Sequence, residues 1–437
     1  MRKRKGQNVR VKNRKLHIAI SMVIYVCMVL LLNLGNSVMP VFLKNTPFGT
    51  QIFGYLMGFM YLGQFLLAPF WGTLSDTKGR AIVALSPLGY GIGQLLYVLS
   101  ADSFGLLIVS RIMAGIFAIL FLSQFVAYIS DISPPAQRQR ILSLTAVMTP
   151  LGAGIAYLIG GLIKSPNFAA MLLEARHLLR FLGPDLSQTL TEVYTFPFLL
   201  QFILGIFACF FLYWFISHNN EYQVLNKIRH KTTANPIART WEQFKLFLSH
   251  RETIVFSLVT ISFFNSVAYA ATQSIQYYLQ DGLHLDAQEI GIVVFAYNIL
   301  SVLLSLLCQG LLLQRYSRWQ NLVIANATVI VFALLLFFAN TWQLIAVMSM
   351  IVMMNTLLVS IIQGTIADYS EKERGVLLGM NQGAISLASI FGNFIISPLY
   401  GLNPNVFHYR LPFIMMALVL GVVSTIILGP LKKQMKR

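Results

Sequence analysis

One feature constrains this chain more than any other: uninterrupted apolar runs of about 20 residues return along its whole length. A helix of that size is about 30 Å long, the thickness of a bilayer's hydrocarbon core. Twelve such runs can be marked, at 17–43, 51–71, 81–100, 104–130, 140–163, 197–217, 253–279, 288–313, 322–339, 343–367, 376–400 and 412–431. Membrane β-strands are half as long and alternate apolar with polar residues, so helices are expected. With 57% hydrophobic and 11% charged residues, the chain has too little polar surface for a soluble globule of its size. The first run follows a basic arm and lacks a small-residue cleavage site, which predicts a retained helix and not a removed signal. Cys27, Cys209 and Cys308 all fall inside runs. They read as small apolar residues, and neither a disulfide, a metal site nor a cofactor is expected.

A net charge of +17 could suggest nucleic acid as a partner, but its distribution points to lipid. With the N-terminus placed inside, 26 Lys and Arg fall on the inner side. Five fall outside (Lys44, Lys164, Arg176, Arg180 and Arg410), and Arg111 lies within a span. That asymmetry follows the positive-inside rule and predicts both termini in the cytoplasm. The arm RKRKGQNVRVKNRK is expected to lie on anionic lipid, with no nucleic-acid role.

The chain divides into an arm (1–16), six spans (17–217), a polar linker (218–252) and six more spans with a basic tail (253–437). Within the linker, IARTWEQFKLFLSH puts Trp241, Phe244, Phe247 and Leu248 on one face, as in a helix resting on a membrane surface. The halves echo each other. Gly72-Thr-Leu and Gly310-Leu-Leu follow the second and eighth spans, and Asp131 and Asp368 close the fourth and tenth. Pro197-Phe198 and Pro412-Phe413 open the sixth and twelfth. Parallel repeats of this kind give two bundles related by an axis along the membrane normal.

Between spans two and three stands GTLSDTKGR, Gly72 to Arg80. This G-x-L-S-D-x-x-G-R turn resembles the loop between the second and third helices of major facilitator transporters. The resemblance implies an all-α membrane protein with twelve transmembrane helices in two six-helix bundles, and secondary-active transport by alternating access. It also implies a conformational latch built from Gly72, Leu74, Asp76, Gly79 and Arg80 together with Asp131. Asp76 would meet the start of span eleven, where a helix dipole favours a carboxylate, and Arg80 would pair with Asp131. By that resemblance both contacts hold the outward-open state and break in the inward-open one. The plainer alternative is that these charges only fix topology.

Span four, SRIMAGIFAILFLSQFVAYISD, is similar to the R-x-x-x-G helix of drug exporters in this superfamily, through Arg111 and Gly115. Arg111 lies about 10 Å inside the outer end at 1.5 Å per residue, level with Asn36. A deep arginine is expected to face water or partners; snorkelling to the interface is the alternative. Span five resembles the glycine-rich antiporter helix, with Gly152, Gly154, Gly160 and Gly161, although Ala156-Tyr157 stands where a Gly-Pro kink is usual and Pro150 precedes it. Close helix packing accounts for these glycines equally well. Many proton-coupled relatives carry an acid on span one; here Asn33 and Asn36 stand at that level. An arginine without an acid favours an anionic group. Proton coupling would then rest on Asp76, Asp131, Glu289 or the substrate itself.

Further polar residues could line a pathway: Gln64, Gln124, Asn265, Gln273, Gln276, Asn298, Asn355, Gln363 and Gln382, with Tyr128, Tyr269 and Tyr297. The outer segment 171–183 reads as an amphipathic surface helix. The expectation is a monomeric exporter of an amphiphilic or anionic small molecule in a bacterial inner membrane, with protons as a candidate coupling ion. An importer of an organic anion, nutrient or carboxylate chelator is one alternative, and a receptor or scaffold without flux is another. No constellation of an enzyme is present in the sequence.

Overall fold

The computed structural model describes residues 14–134, 137–162, 194–218, 254–369, 374–401, 406–429 and 431–432, with scattered positions between 172 and 192. The arm, most of the expected helix at 171–183, and nearly all of the linker lie outside the described residues. Among the described residues twelve long helices run α1 Arg14–Asn33, α2 Phe53–Lys78, α3 Leu85–Leu99, α4 Phe104–Ile132, α5 Arg138–Gly161, α6 Phe196–Ser217, α7 Ile254–Gln273, α8 Ala287–Arg315, α9 Arg318–Leu336, α10 Thr341–Tyr369, α11 Arg374–Gly401 and α12 Val406–Ile426. Among the described residues, eleven helices are long and apolar enough to cross a membrane, and Arg410–Val423 in α12 is a shorter apolar stretch. The chain is a multi-pass membrane protein of two six-helix bundles, α1–α6 and α7–α12.

Side chains explain where the helices begin. Ser103 caps α4, and Asp286 with Glu289 and Ser317 with Gln320 form capping boxes on α8 and α9, satisfying amide groups that a membrane interior would leave bare. The exterior is apolar: Phe207, Phe210, Leu307 and Leu311 are each at least 67% exposed, as a lipid-facing surface requires. Cys27 is exposed on α1, and Cys209 and Cys308 are half-buried.

The ends of the bundles are called here the arm side, where α1 starts, and the far side. Two breaks shape the far side. Helix α1 stops at Asn33, and the chain turns before a short helix over Met39–Lys44. Span one is therefore not one continuous helix to residue 43, and Asn33 and Asn36 sit at the break, where Asn36 donates to Asn33 Oδ1 at 2.9 Å. The second break ends α7, which continues only as Ile275–Tyr277 and a π turn over Tyr278–Gly282.

Candidate functional site

On the arm side, Gly72 to Lys78 is helical: α2 runs through it, and the chain turns only at Gly79, whose φ is +99°. The expected charged turn is thus two turns of helix ended by one left-handed residue that favours glycine. Leu74 packs beside Trp71 and Ile119. Arg80 is 5% exposed. It donates to Asp131 Oδ2 at 3.1 Å, to Ser75 Oγ at 3.0 Å and to Gln124 Oε1 at 2.7 Å. A buried guanidinium needs several acceptors, and this set supplies them. Gln124 serves this cluster. All four residues belong to the first bundle. The Asp76 side chain lies outside the described residues.

Arg111 faces partners within its own bundle. It is 2% exposed and points to α3, where Gln94 and Tyr97 lie three residues apart on one face. Nη2 donates to Gln94 Oε1 at 3.1 Å, and the guanidinium carbon sits 3.5 Å above the Tyr97 ring. Its Nε–H is buried without a hydrogen-bond partner. The arginine therefore does not snorkel; stacking and one amide hold it inside the first bundle. Tyr128 is likewise interior, stacked on Phe125. Gly115 lies against the Met60 carbonyl, which brings α2 and α4 close.

The two bundles meet along a seam on the far side. Helix α5 packs on α8: a Cβ on Gly154 would come within 2.8 Å of Asn298 Cβ, and one on Gly161 within 2.9 Å of Ala287 O. Helix α2 packs on α11, where a Cβ on Gly54 would meet Asn393 O at 2.6 Å. Gly152 and Gly160 face α1 and the turn after it, within their own bundle. Glu289 accepts from the Asp286 amide at 2.9 Å in the cap of α8, so it is tied to a helix end.

Deeper in the seam, tyrosines of the first bundle hold glutamines of the second. Gln273 donates to Tyr61 Oη at 2.6 Å and accepts from Asn393 at 3.2 Å. Tyr157 donates to Gln276 Oε1 at 2.9 Å. Within the second bundle, Asn265 donates to Asn355 Oδ1 at 2.8 Å, and Tyr269 lies half-buried nearby on α7. Asn298 donates to its own helix at Val294 O, 2.8 Å away. Gln64 is buried, and Gln363 and Gln382 are half-buried. The reading of the sequence missed Tyr61, Asn393, Gln94 and Tyr97. The spacing of Gln94 and Tyr97 was a signal; Tyr61 has none, because it stands in an apolar run.

Two apolar helical bundles thus meet through glycines and neutral hydrogen bonds. A family model described as "Major Facilitator Superfamily" matches residues 21–274 and 258–436, and the chain belongs to that superfamily. It is 23% identical over 359 residues to the quinolone resistance protein NorA of Staphylococcus aureus (strain COL), covering 82% of each chain. It is 22% identical over 398 residues to multidrug resistance protein 2 of Bacillus subtilis (strain 168), covering 89% of each. Among solved structures, the fold matches the human organic anion transporter MFSD10 with a TM-score of 0.62 at 14% identity, covering 94% of this chain and 100% of that one. It also matches the partially occluded inward-open xylose transporter XylE of E. coli with a TM-score of 0.65 at 16% identity, covering 94% and 98%. The protein is a major facilitator transporter, not an enzyme.

Proposed function

We propose that this chain exports an amphiphilic organic small molecule by alternating access, across a bacterial inner membrane, with both termini cytoplasmic. The moving bodies are residues 17–217 and 253–437, joined by 218–252 and preceded by the arm 1–16. The observation that carries this reading is the seam of tyrosine–glutamine pairs. Each neutral bond contributes about 0.5–1.5 kcal/mol, so the halves part without stranding a buried charge. Phenols and amides beside apolar walls suit an amphiphile, which such a site holds by burial and a few hydrogen bonds. Similarity to two proteins named for drug resistance supports the outward direction. In the same reading Gly72–Arg80 is the latch, through Asp76 at the start of α11, and the protein acts as a monomer.

The test is transport in both orientations. Everted vesicles carrying the chain should accumulate a fluorescent amphiphile, and intact cells should exclude it. Net uptake by intact cells would reverse the assigned direction. A second reading, an organic anion, is favoured by the unpartnered Nε–H of Arg111. It requires affinity for an anionic ligand to fall from Arg111 to Arg111→Lys to Arg111→Gln, by about 1.5–3 kcal/mol in all. Equal binding by the three proteins refutes it.

A further inference from the structure

Two arginines are buried among the described residues, and their surroundings differ. Arg80 finds a carboxylate, a hydroxyl and an amide oxygen for its N–H groups. Arg111 finds one neutral acceptor, Gln94 Oε1 at 3.1 Å, and the face of the Tyr97 ring at 3.5 Å. Its Nε–H is buried with no hydrogen-bond partner, and so is the hydroxyl of Tyr97. The guanidinium stands over the phenol ring, so these two unpartnered donors are neighbours.

Other polar groups around them are engaged. At the end of α1, Tyr90 Oη donates to Leu32 O at 2.5 Å and Gln201 Nε2 to Leu31 O at 2.7 Å. Ser110 Oγ donates to Leu107 O. No acid balances the charge either. Helices α1, α3 and α6 carry neither Asp nor Glu. The acid of α4 is Asp131, held by Arg80 on the arm side, and Asp76 stands near the arm-side end of α2. Asp102, Glu174 and Glu192 are exposed, and Asp281 accepts from Thr50. Among the described residues no carboxylate pairs with Arg111. Taking a guanidinium out of water is costly, and one amide with one ring offsets only part of that cost.

We propose that Arg111 and Tyr97 hold a small monovalent anion, of the size of chloride, as a resident counter-ion inside the first bundle. Both unpartnered groups are donors, the N–H of a cation and a phenol O–H, which is the set that an anion needs and a cation cannot use. The walls select a halide. The Phe42 ring lies 5.0 Å and the Phe198 ring 5.4 Å from that of Tyr97, centroid to centroid, and aromatic edges carry positive charge. Rings packed this closely favour an ion of that size over a bulky organic acid. Guanidinium is weakly hydrated, and its match is a singly charged halide, which sheds water more readily than sulfate. The anion neutralises the arginine and stays with the first bundle when the bundles move. The inference goes beyond the export reading and does not rest on it.

The test is binding of radiolabelled chloride by the purified protein in detergent, with gluconate holding the ionic strength constant. The wild-type sequence should bind about one chloride per chain, and its melting temperature should rise as the site fills. Arg111→Gln should weaken chloride binding at least about tenfold, the scale of one charge-assisted hydrogen bond. Tyr97→Phe keeps the stacking ring and loses the hydroxyl, and should weaken it roughly two- to tenfold. If Arg111→Gln does not fold, Arg111→Lys and Tyr97→Phe carry the test. Lys44→Gln, at an exposed cation of the same bundle, should bind like the wild type. A wild-type sequence that binds no chloride overturns the proposal, as does equal binding by the wild type, Arg111→Lys and Tyr97→Phe. Arg111-dependent flux of chloride into vesicles would make the ion cargo and overturn its resident role. Displacement of chloride by benzoate would mark Arg111 as an organic-acid site and overturn the choice of a halide.

Discussion

Gly161→Ala is the most direct challenge to the seam. The new methyl would stand 2.9 Å from Ala287 O and 3.1 Å from Gly291 Cα, where ordinary contact is 3.4–4 Å. Both obstacles are backbone, so no rotamer change relieves them, and α5 and α8 must move apart. The reverse approach is as tight: a Cβ on Gly291 would meet Tyr157 O at 2.6 Å. Overpacking of this kind costs about 1–3 kcal/mol. The cost falls on the state in which the far ends touch. The gain in helix propensity from glycine to alanine, about 0.5–1 kcal/mol, is shared by both states and cancels. At 1.4 kcal/mol per factor of ten, the closed-to-open ratio should drop roughly 5- to 150-fold. The assay is the distance distribution between labels at Asn45 and Trp342, far-side positions of opposite bundles. Gly310→Ala is the control, because its Cβ would meet nothing within 4 Å. A Gly161→Ala distribution identical to the wild type, or an equal shift from Gly310→Ala, would refute the reasoning.

Tyr61→Phe and Tyr157→Phe should each shift the same distance toward the open state by about 0.5–1.5 kcal/mol, the worth of a neutral hydrogen bond; no shift in either would remove these pairs from the seam's energetics. On the arm side, Asp131→Asn should lower thermal stability in detergent by no more than about 1 kcal/mol, because the carboxylate is 26% exposed and screened. Arg80→Ala should cost more, about 1–3 kcal/mol, since Ser75, Gln124 and Asp131 all lose their donor. An Arg80→Ala protein melting no lower than Asp131→Asn would contradict the cluster.

Much of the candidate site was legible residue by residue. Arg80 with Asp131 was readable through the resemblance of the 72–80 stretch to the loop of major facilitator transporters. Gln273 and Gln276 were readable as polar groups in an apolar span. The positions of Gln124 and Tyr128 were not: one serves Arg80, the other fills the core of the first bundle. The 72–78 stretch also misled, since charged residues in a short interval between spans look like a turn, whereas helical hydrogen bonding carries α2 through them to Gly79.

The sequence by itself determined the number and order of the spans, the two halves, and the identity of the few charges. Span length and the scarcity of polar residues are properties of the chain read in line, set by bilayer thickness. Only the tertiary structure decided which way each residue faces. In a soluble helix one apolar stripe marks the interior, but lipid is as apolar as a packed core, and a helix that is apolar all round carries no such mark. For that reason the partners of Arg111 and the tyrosines that hold Gln273 and Gln276 could be known only once the helices were packed.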